Sequence, residues 1–267
     1  MERVLSVQDL SCMGKCSLTV ALPVLSAMGC ACTVLPTAVL STHTAFPGPH
    51  VRSMTEEMLP MAEHWASVGA EFDAICVGYL SDPRQAETAE QVLGLFDAPV
   101  VLDPAMGDHG KLYSGQTEQH VQAMARLCRK ADFLLPNVTE AALLTGLPYR
   151  EKADEGYLKE LTAGLLELGP KAVVITGFAW DETTTGFVCG DRDGLQCYQA
   201  QRIPRSQHGT GDLFAAVFTG ALVKGRSPYD AAALAARFVE RVVAATPQST
   251  PFGAEFETQL PWLWEQV

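Results

Sequence analysis

Short apolar strands that alternate with helices, each strand ending on a polar residue, are the feature that most narrows the fold of this chain. Residues 3–9 (RVLSVQD), 30–40, 72–80 (FDAICVGYL), 99–103 (PVVLD), 132–136 and 171–176 (KAVVIT) read as strands. Helical spacing covers 15–28, 51–68, 83–96 and 117–130 between them, then 138–145 behind an Asn137 cap, and 156–168. Strands this apolar are buried on both faces, which implies a largely parallel sheet between two helical layers. Residues 186–189 and 195–200 read as an antiparallel edge hairpin, and the helices 212–224 and 228–245 close the core. The expected architecture is α/β, a three-layer αβα sandwich in one domain over 1–267, because neither a repeat nor a linker interrupts the pattern. Trp262 and Trp264 in the tail read as packing.

Ligands of open α/β sheets gather beyond the carboxyl ends of the strands. The polar residues fall there: Asp9 after the first strand, Ser41–Thr44 after the second, Tyr79 after the third, Asp103, Asn137 and Thr176 after the next three.

A net charge of −12 argues against nucleic acid or an anionic membrane as the main partner. No apolar run reaches the roughly 18–20 residues of a membrane span. The opening residues lack a leader pattern, so the expected location is the cytoplasm. None of the eight cysteines forms a C-x-x-C pair, and Cys12 and Cys16 would share a face only on a helix. The six histidines show no metal-ligand spacing, and only His43 and His208 fall in candidate site loops.

The densest signal is His208-Gly209-Thr210-Gly211-Asp212 before an apolar helix. Glycines and free N–H groups at a helix start make a cradle for anionic oxygens. A carboxylate beside such a cradle suits proton removal from an attacking hydroxyl; the competing reading is a plain helix-start turn. Asp103 and Asp108 bracket a loop whose oxygens suit Mg²⁺, or form a polar turn. Asn137 and Glu140 could hold metal-bound water, or serve as a cap with its partner glutamate. Gly14-Lys15-Cys16 resembles a phosphate loop but lacks its first glycine and its Ser or Thr.

Together and in this order, these segments resemble the ribokinase superfamily and, within it, the pyridoxal (vitamin B6) kinases. The resemblance runs from Val4 to about Thr246. It rests on Ser41-Thr-His-Thr44, Gly78-Tyr-Leu80, Asp103-Pro-Ala-Met-Gly-Asp108, Pro136-Asn137, 173–176 and Gly209-Thr-Gly-Asp-Leu-Phe-Ala-Ala216. It implies ATP-dependent phosphorylation of a hydroxymethyl group, with Asp212 as base and Gly209, Thr210 and Gly211 as the anion hole. Asp103, Asp108, Tyr113, Asn137, Glu140 and Thr176 would meet ATP, and Asp103 and Glu140 would hold Mg²⁺, partly through water. Asp9, His43, Thr44 and Tyr79 would line the substrate pocket. The resemblance also implies a homodimer and leaves room for a monovalent cation such as K⁺. Sugar kinases of the superfamily insert a β-sheet lid after the first strand; here a helix follows almost directly, so no separate lid domain is expected. Family members carry serine where this chain has Asp9, which points to a cationic substrate form. Ala45 also replaces a larger polar residue. A hydroxymethylpyrimidine kinase and a non-catalytic nucleotide-binding protein are the competing readings. The polar run 199–207 is the candidate flap over ATP.

Overall fold

The computed structural model describes residues 1–205, 207–248 and 250–267. In chain order the elements are β1 (Arg3–Ser11), α1 (Leu18–Ala27), β2 (Ala31–Leu40), β3 (Val51–Ser53), α2 (Thr55–Ser67), β4 (Ala74–Val77) and α3 (Arg84–Leu93). There follow β5 (Val100–Leu102), β6 (Gly107–Asp108), β7 (Lys111–Leu112), α4 (Glu118–Cys128), β8 (Phe133–Leu134), α5 (Val138–Thr145) and α6 (Glu155–Leu166). The chain ends with β9 (Ala172–Ala179), β10 (Thr184–Asp191), β11 (Leu195–Gln201), α7 (Thr210–Val223), α8 (Pro228–Ala245), a 3₁₀ turn (Glu257–Gln259) and α9 (Leu260–Trp264).

One sheet takes the order β11-β10-β9-β8-β5-β4-β1-β2-β3. The six strands from β9 to β2 are parallel, and β10, β11 and β3 run antiparallel at the two edges. Chain order reverses between β1 and β4, the switch point at which such sheets open a crevice. Side chains alternate across the sheet. Val101 joins the layer of α1, α7, α8 and α9, whereas Val100 and Leu102 join that of α2 to α6. Phe187, Phe218 and Phe238 are fully buried, each contributing on the order of 2–3 kcal/mol. β6 and β7 form a separate two-stranded ribbon, and no lid sheet occurs among the described residues. The α/β architecture and the edge hairpin are as the sequence implies.

Several boundaries differ. β1 continues through Asp9 to Ser11, so Asp9 lies inside the strand. Helix α1 begins at Leu18, because Ser17 holds a positive φ of 49°. Residues 51–68 divide into the edge strand β3 and helix α2. β9 runs past Thr176 to Ala179. Helix α7 starts at Thr210, which puts Asp212 within its first turn. Trp262 stacks on Phe238, but Trp264 is exposed. Ser206, part of the expected flap, lies outside the described residues.

Candidate active site

The site grows from the start of α7. Gly209 caps the helix with φ 84°, a left-handed conformation that favours glycine. A side chain there would overlap the carbonyl oxygen of Lys15. That carbonyl is also pressed from the other side, where a Cβ on Gly253 would lie 3.0 Å away. The Lys15 N–H donates to the Phe252 carbonyl at 2.7 Å, and the Ala254 N–H to that of His208 at 3.0 Å. The glycine loop is thus clamped between the 14–17 segment and the C-terminal segment. The N–H groups of Thr210 and Gly211 have no helical carbonyl to bind and face the site with the positive end of the helix dipole.

Carboxylates crowd this positive end. Part of Asp212 meets solvent, but its carboxyl group is enclosed, and burial, then the charge of Asp9, push it up to about 7. The Ser17 N–H works in the opposite direction, favouring the ionised form. Asp103 follows the last residue of β5, and a Cβ on Gly211 would stand 3.7 Å from its Oδ2. Burial, then Asp212, raise Asp103, and no hydrogen bond from the described residues relieves its carboxylate.

The 103–112 loop is anchored rather than free. Glu140, 2% exposed, accepts the Met106 N–H at 3.0 Å and the Asn137 N–H at 2.8 Å. Asn137 accepts the Glu140 N–H at 3.0 Å and donates to the Gly107 carbonyl at 2.8 Å. The pair is therefore a capping box that also carries the β6–β7 ribbon. Burial, then Asp103, raise Glu140 as well. Thr176 pairs with Asn137 across a parallel bridge. Asp108 lies in the ribbon, where it accepts the His109 N–H at 2.7 Å. Burial, then Glu140, Asp103, Asp108 and Asp212, raise the Tyr113 phenol, which places it on the acidic side of the loop.

The opposite wall forms at the switch point. The β1–β2 register slips between Gln8 and Leu10, and the bulge re-aims Asp9. Asp9 is 4% exposed and accepts the Ser11 hydroxyl at 2.9 Å; burial raises it. Burial, then the Gln116 side chain in the opposite sense and the Asp9 charge, act on the Tyr79 phenol, with a net rise. Tyr79 and Thr44 line a cavity of about 400 Å³ with Phe46, Val51 and Ser114. His43 is 5% exposed and packs against Phe46, His208 and the backbone of Gly14, where a Cβ would overlap its ring. It packs these loops together; neither His43 nor Asp9 is among the residues that line this cavity.

The structure thus gathers Asp9, Asp103, Glu140, Asp212 and the glycine loop at one sheet edge, with Thr44 and Tyr79 as the outer wall. No cluster of three or more potential metal ligands occurs among the described residues. The unrelieved carboxylate of Asp103 nevertheless fits a cation, whereas Glu140 already spends both oxygens on backbone donors. Ser11 and Ser17 were not singled out by sequence reasoning; a serine just before an apolar helix was the available signal for Ser17.

The family model for phosphomethylpyrimidine kinase matches residues 20–257. A Bacteroides thetaiotaomicron protein described as a phosphomethylpyrimidine kinase, solved with pyridoxal, is 35% identical, with 98% of this chain and 95% of that one covered and a TM-score of 0.92. Pyridoxal kinase of Lactobacillus plantarum is 32% identical over 100% of this chain and 98% of that one, TM-score 0.91. A pyridoxine/pyridoxal/pyridoxamine kinase of Bordetella avium is 31% identical over 265 residues, 91% of this chain and 85% of the relative.

Proposed function

The chain belongs to the phosphomethylpyrimidine kinase family, whose relatives include pyridoxal kinases, and we propose that it phosphorylates the 5′-hydroxymethyl group of pyridoxal, pyridoxamine or pyridoxine with ATP. The observation that carries this reading is the meeting of an enclosed carboxylate, Asp212, with the open N–H groups of the α7 start. A buried carboxyl held near pH 7 is poised as a general base. The neighbouring N–H groups suit the equatorial oxygens of a transferring phosphoryl group.

In this reading Asp212 takes the proton of the acceptor hydroxyl at its carboxylate oxygen. The backbone of Gly209, Thr210 and Gly211 stabilises the charge that spreads over the phosphoryl group. Asp103 would hold Mg²⁺, with Asn137 and Glu140 acting on it through water. When bound there, such an ion would supply charge neutralisation to the ATP phosphates. Asp108, Tyr113 and Thr176 flank the nucleotide. Asp9, Thr44 and Tyr79 bind the ring, and His43 supports their loop. Asp9 lacks a cationic partner among the salt bridges of the described residues, which suits a protonated pyridine nitrogen or amine.

A hydroxymethylpyrimidine acceptor is the second reading, favoured by the description of the matching family. A coupled ADP-release screen over the three B6 vitamers, hydroxymethylpyrimidine and ribose separates them. Preference for a vitamer supports the proposal; preference for hydroxymethylpyrimidine replaces it; no turnover on any of these acceptors overturns the kinase reading.

A further inference from the structure

Residues 78–80 follow β4 outside any helix or strand, and 81–82 bend into α3. Tyr79 and Ser81 of this segment line the cavity of about 400 Å³. Packed backbone that leaves a sheet must find other hydrogen-bond partners, and here side chains supply them. The Thr37 hydroxyl, from β2, donates to the Tyr79 carbonyl at 3.1 Å. The Gln116 amide donates to the Leu80 carbonyl at 3.0 Å. Gln85, in the first turn of α3, accepts the Ser81 N–H at 2.8 Å.

Gln85 does more than close this bend. Its side chain is fully buried, a costly place for an amide unless both ends are bonded. Both are. Opposite the Ser81 N–H, its Nε2 donates to the Thr37 carbonyl at 2.6 Å and to the Thr55 hydroxyl at 3.1 Å. These partners fix the orientation of the amide: turned over, its NH₂ would face the Ser81 N–H and its oxygen the Thr37 carbonyl. The Thr37 carbonyl also accepts the Met54 N–H at 2.9 Å, which brings in the turn from β3 to α2. One amide therefore joins the cavity segment, β2 and the start of α2, and Thr37 passes the hold on to Tyr79. Neither Gln85 nor Thr37 is among the residues that line the cavity.

We propose that Gln85 is a positioning residue for acceptor binding. With Thr37 it holds the 79–81 segment against β2 and α2, so that Tyr79 and Ser81 present one fixed surface to the ring. The inference rests on the acceptor assigned to this cavity above, and adds a residue that the acceptor never meets. The bonds of Gln85 and Thr37 reach neither the start of α7 nor the 103–112 loop, so the reacting end and the nucleotide side stay in place without them.

The test is a KM-against-kcat split, read with whichever hydroxymethyl acceptor the wild-type chain phosphorylates fastest. Gln85→Met keeps a long buried side chain and removes both ends of the amide. Acceptor KM should rise about tenfold, with kcat and the KM for ATP within about twofold of wild type. Thr37→Val deletes one hydroxyl at nearly constant shape, and carries the test if Gln85→Met does not fold. Its acceptor KM should rise about fivefold, and Thr37→Ser should return it to within about twofold of wild type. Native acceptor KM in folded Gln85→Met or in Thr37→Val overturns the proposal, as does an equal rise in the KM for ATP, which marks general loosening. A second measurement needs no turnover. In the chain labelled with 3-fluorotyrosine, the Tyr79 signal, assigned by its loss in Tyr79→Phe, should shift or broaden in Gln85→Met and Thr37→Val. The signals of Tyr157 in α6 and Tyr198 in β11 should not move. An unmoved Tyr79 signal overturns the proposal. A wild-type chain inactive on every acceptor overturns the assigned function, while the fluorine spectra still decide on Gln85.

Discussion

The backbone carbonyl of Lys15 fills the space in which a side chain on Gly209 would stand. The glycine loop is therefore shaped by a residue about two hundred positions earlier in the chain, and not by its own sequence alone. Gly209→Ala must displace either the loop or the 14–17 segment. The loop supplies the N–H groups of the proposed anion hole, and the 14–17 segment holds it in place. Turnover should fall by roughly 10²–10³, the cost of removing one oxyanion donor, with acceptor KM changed far less. Steady-state kinetics check this; a variant with native kcat would show that the loop does not meet the phosphoryl group.

Asp212→Asn removes the proposed base and keeps the shape. Turnover should drop by roughly 10²–10⁴ while ATP still binds. In the wild type, kcat/KM should fall about tenfold per unit as the pH is lowered below about 7, where burial and Asp9 hold the carboxyl protonated. That acid limb should be missing from the residual activity of the variant. A limb shared by both proteins would assign the titration to another group.

The same enclosure costs stability. A carboxyl raised from the ordinary value of 3.8 to about 7 binds a proton in the folded state that the unfolded chain has released. Stability is therefore lost as the pH rises from about 4 to about 7, and the loss is flat above. Asp212→Asn should raise the Tm of the ligand-free protein, by a gain that grows across this window. At pH 8 it should reach about 1–2 kcal/mol, or a few degrees, allowing for the solvent on the rim of the residue. Thermal scans from pH 4 to 8 test the sign. A Tm lowered at pH 8 would show that the carboxylate is stabilised in place, contrary to a poised base.

How far the sequence discloses such relationships depends on their range. Asp103 and Tyr79 were legible because apolar runs place them at strand ends, where sheets of this class bind ligands. Asp9 reads from the sequence as a residue after the strand, but it lies within β1, and only the β1–β2 bulge, a pairing between distant segments, re-aims it. The strand β3 went unread because Val51, Arg52 and Ser53 are all exposed and carry no alternation. The helix reading of residues 15–17 failed because tertiary contacts impose a positive φ on Ser17 that no local propensity favours. For Asn137 and Glu140 the spacing gave the capping box, yet the Met106 and Gly107 contacts that make it a loop anchor come from another element.

That anchor gives a separate prediction. Glu140→Ala leaves the N–H groups of Met106 and Asn137 without their acceptor. Each unsatisfied buried donor costs about 1–3 kcal/mol, offset in part by relief of the repulsion with Asp103. Tm should fall by several degrees, and KM for ATP should rise about tenfold or more as the 103–112 loop loosens. Calorimetry and nucleotide titration check both. Native ATP affinity in a folded variant would confine Glu140 to stability.

In the proposed pocket, Asp9 is the residue expected to set the charge that a ligand must meet. Its carboxyl group is buried and accepts the Ser11 hydroxyl, and desolvation disfavours its charged form, so a cation delivered by the substrate offsets that desolvation. A neutral ring offers no such relief. Asp9→Ser keeps a small hydroxyl in the bulge and removes the charge. It should lower kcat/KM for pyridoxamine by about tenfold or more, the worth of a hydrogen-bonded charge pair, and spare pyridoxine and pyridoxal more. Turnover at saturation should change little, because Asp212 and the glycine loop stay in place. Parallel kcat/KM measurements on the three vitamers decide the matter: an unchanged ranking removes Asp9 from substrate choice and returns selectivity to Thr44, Tyr79 and the cavity they line.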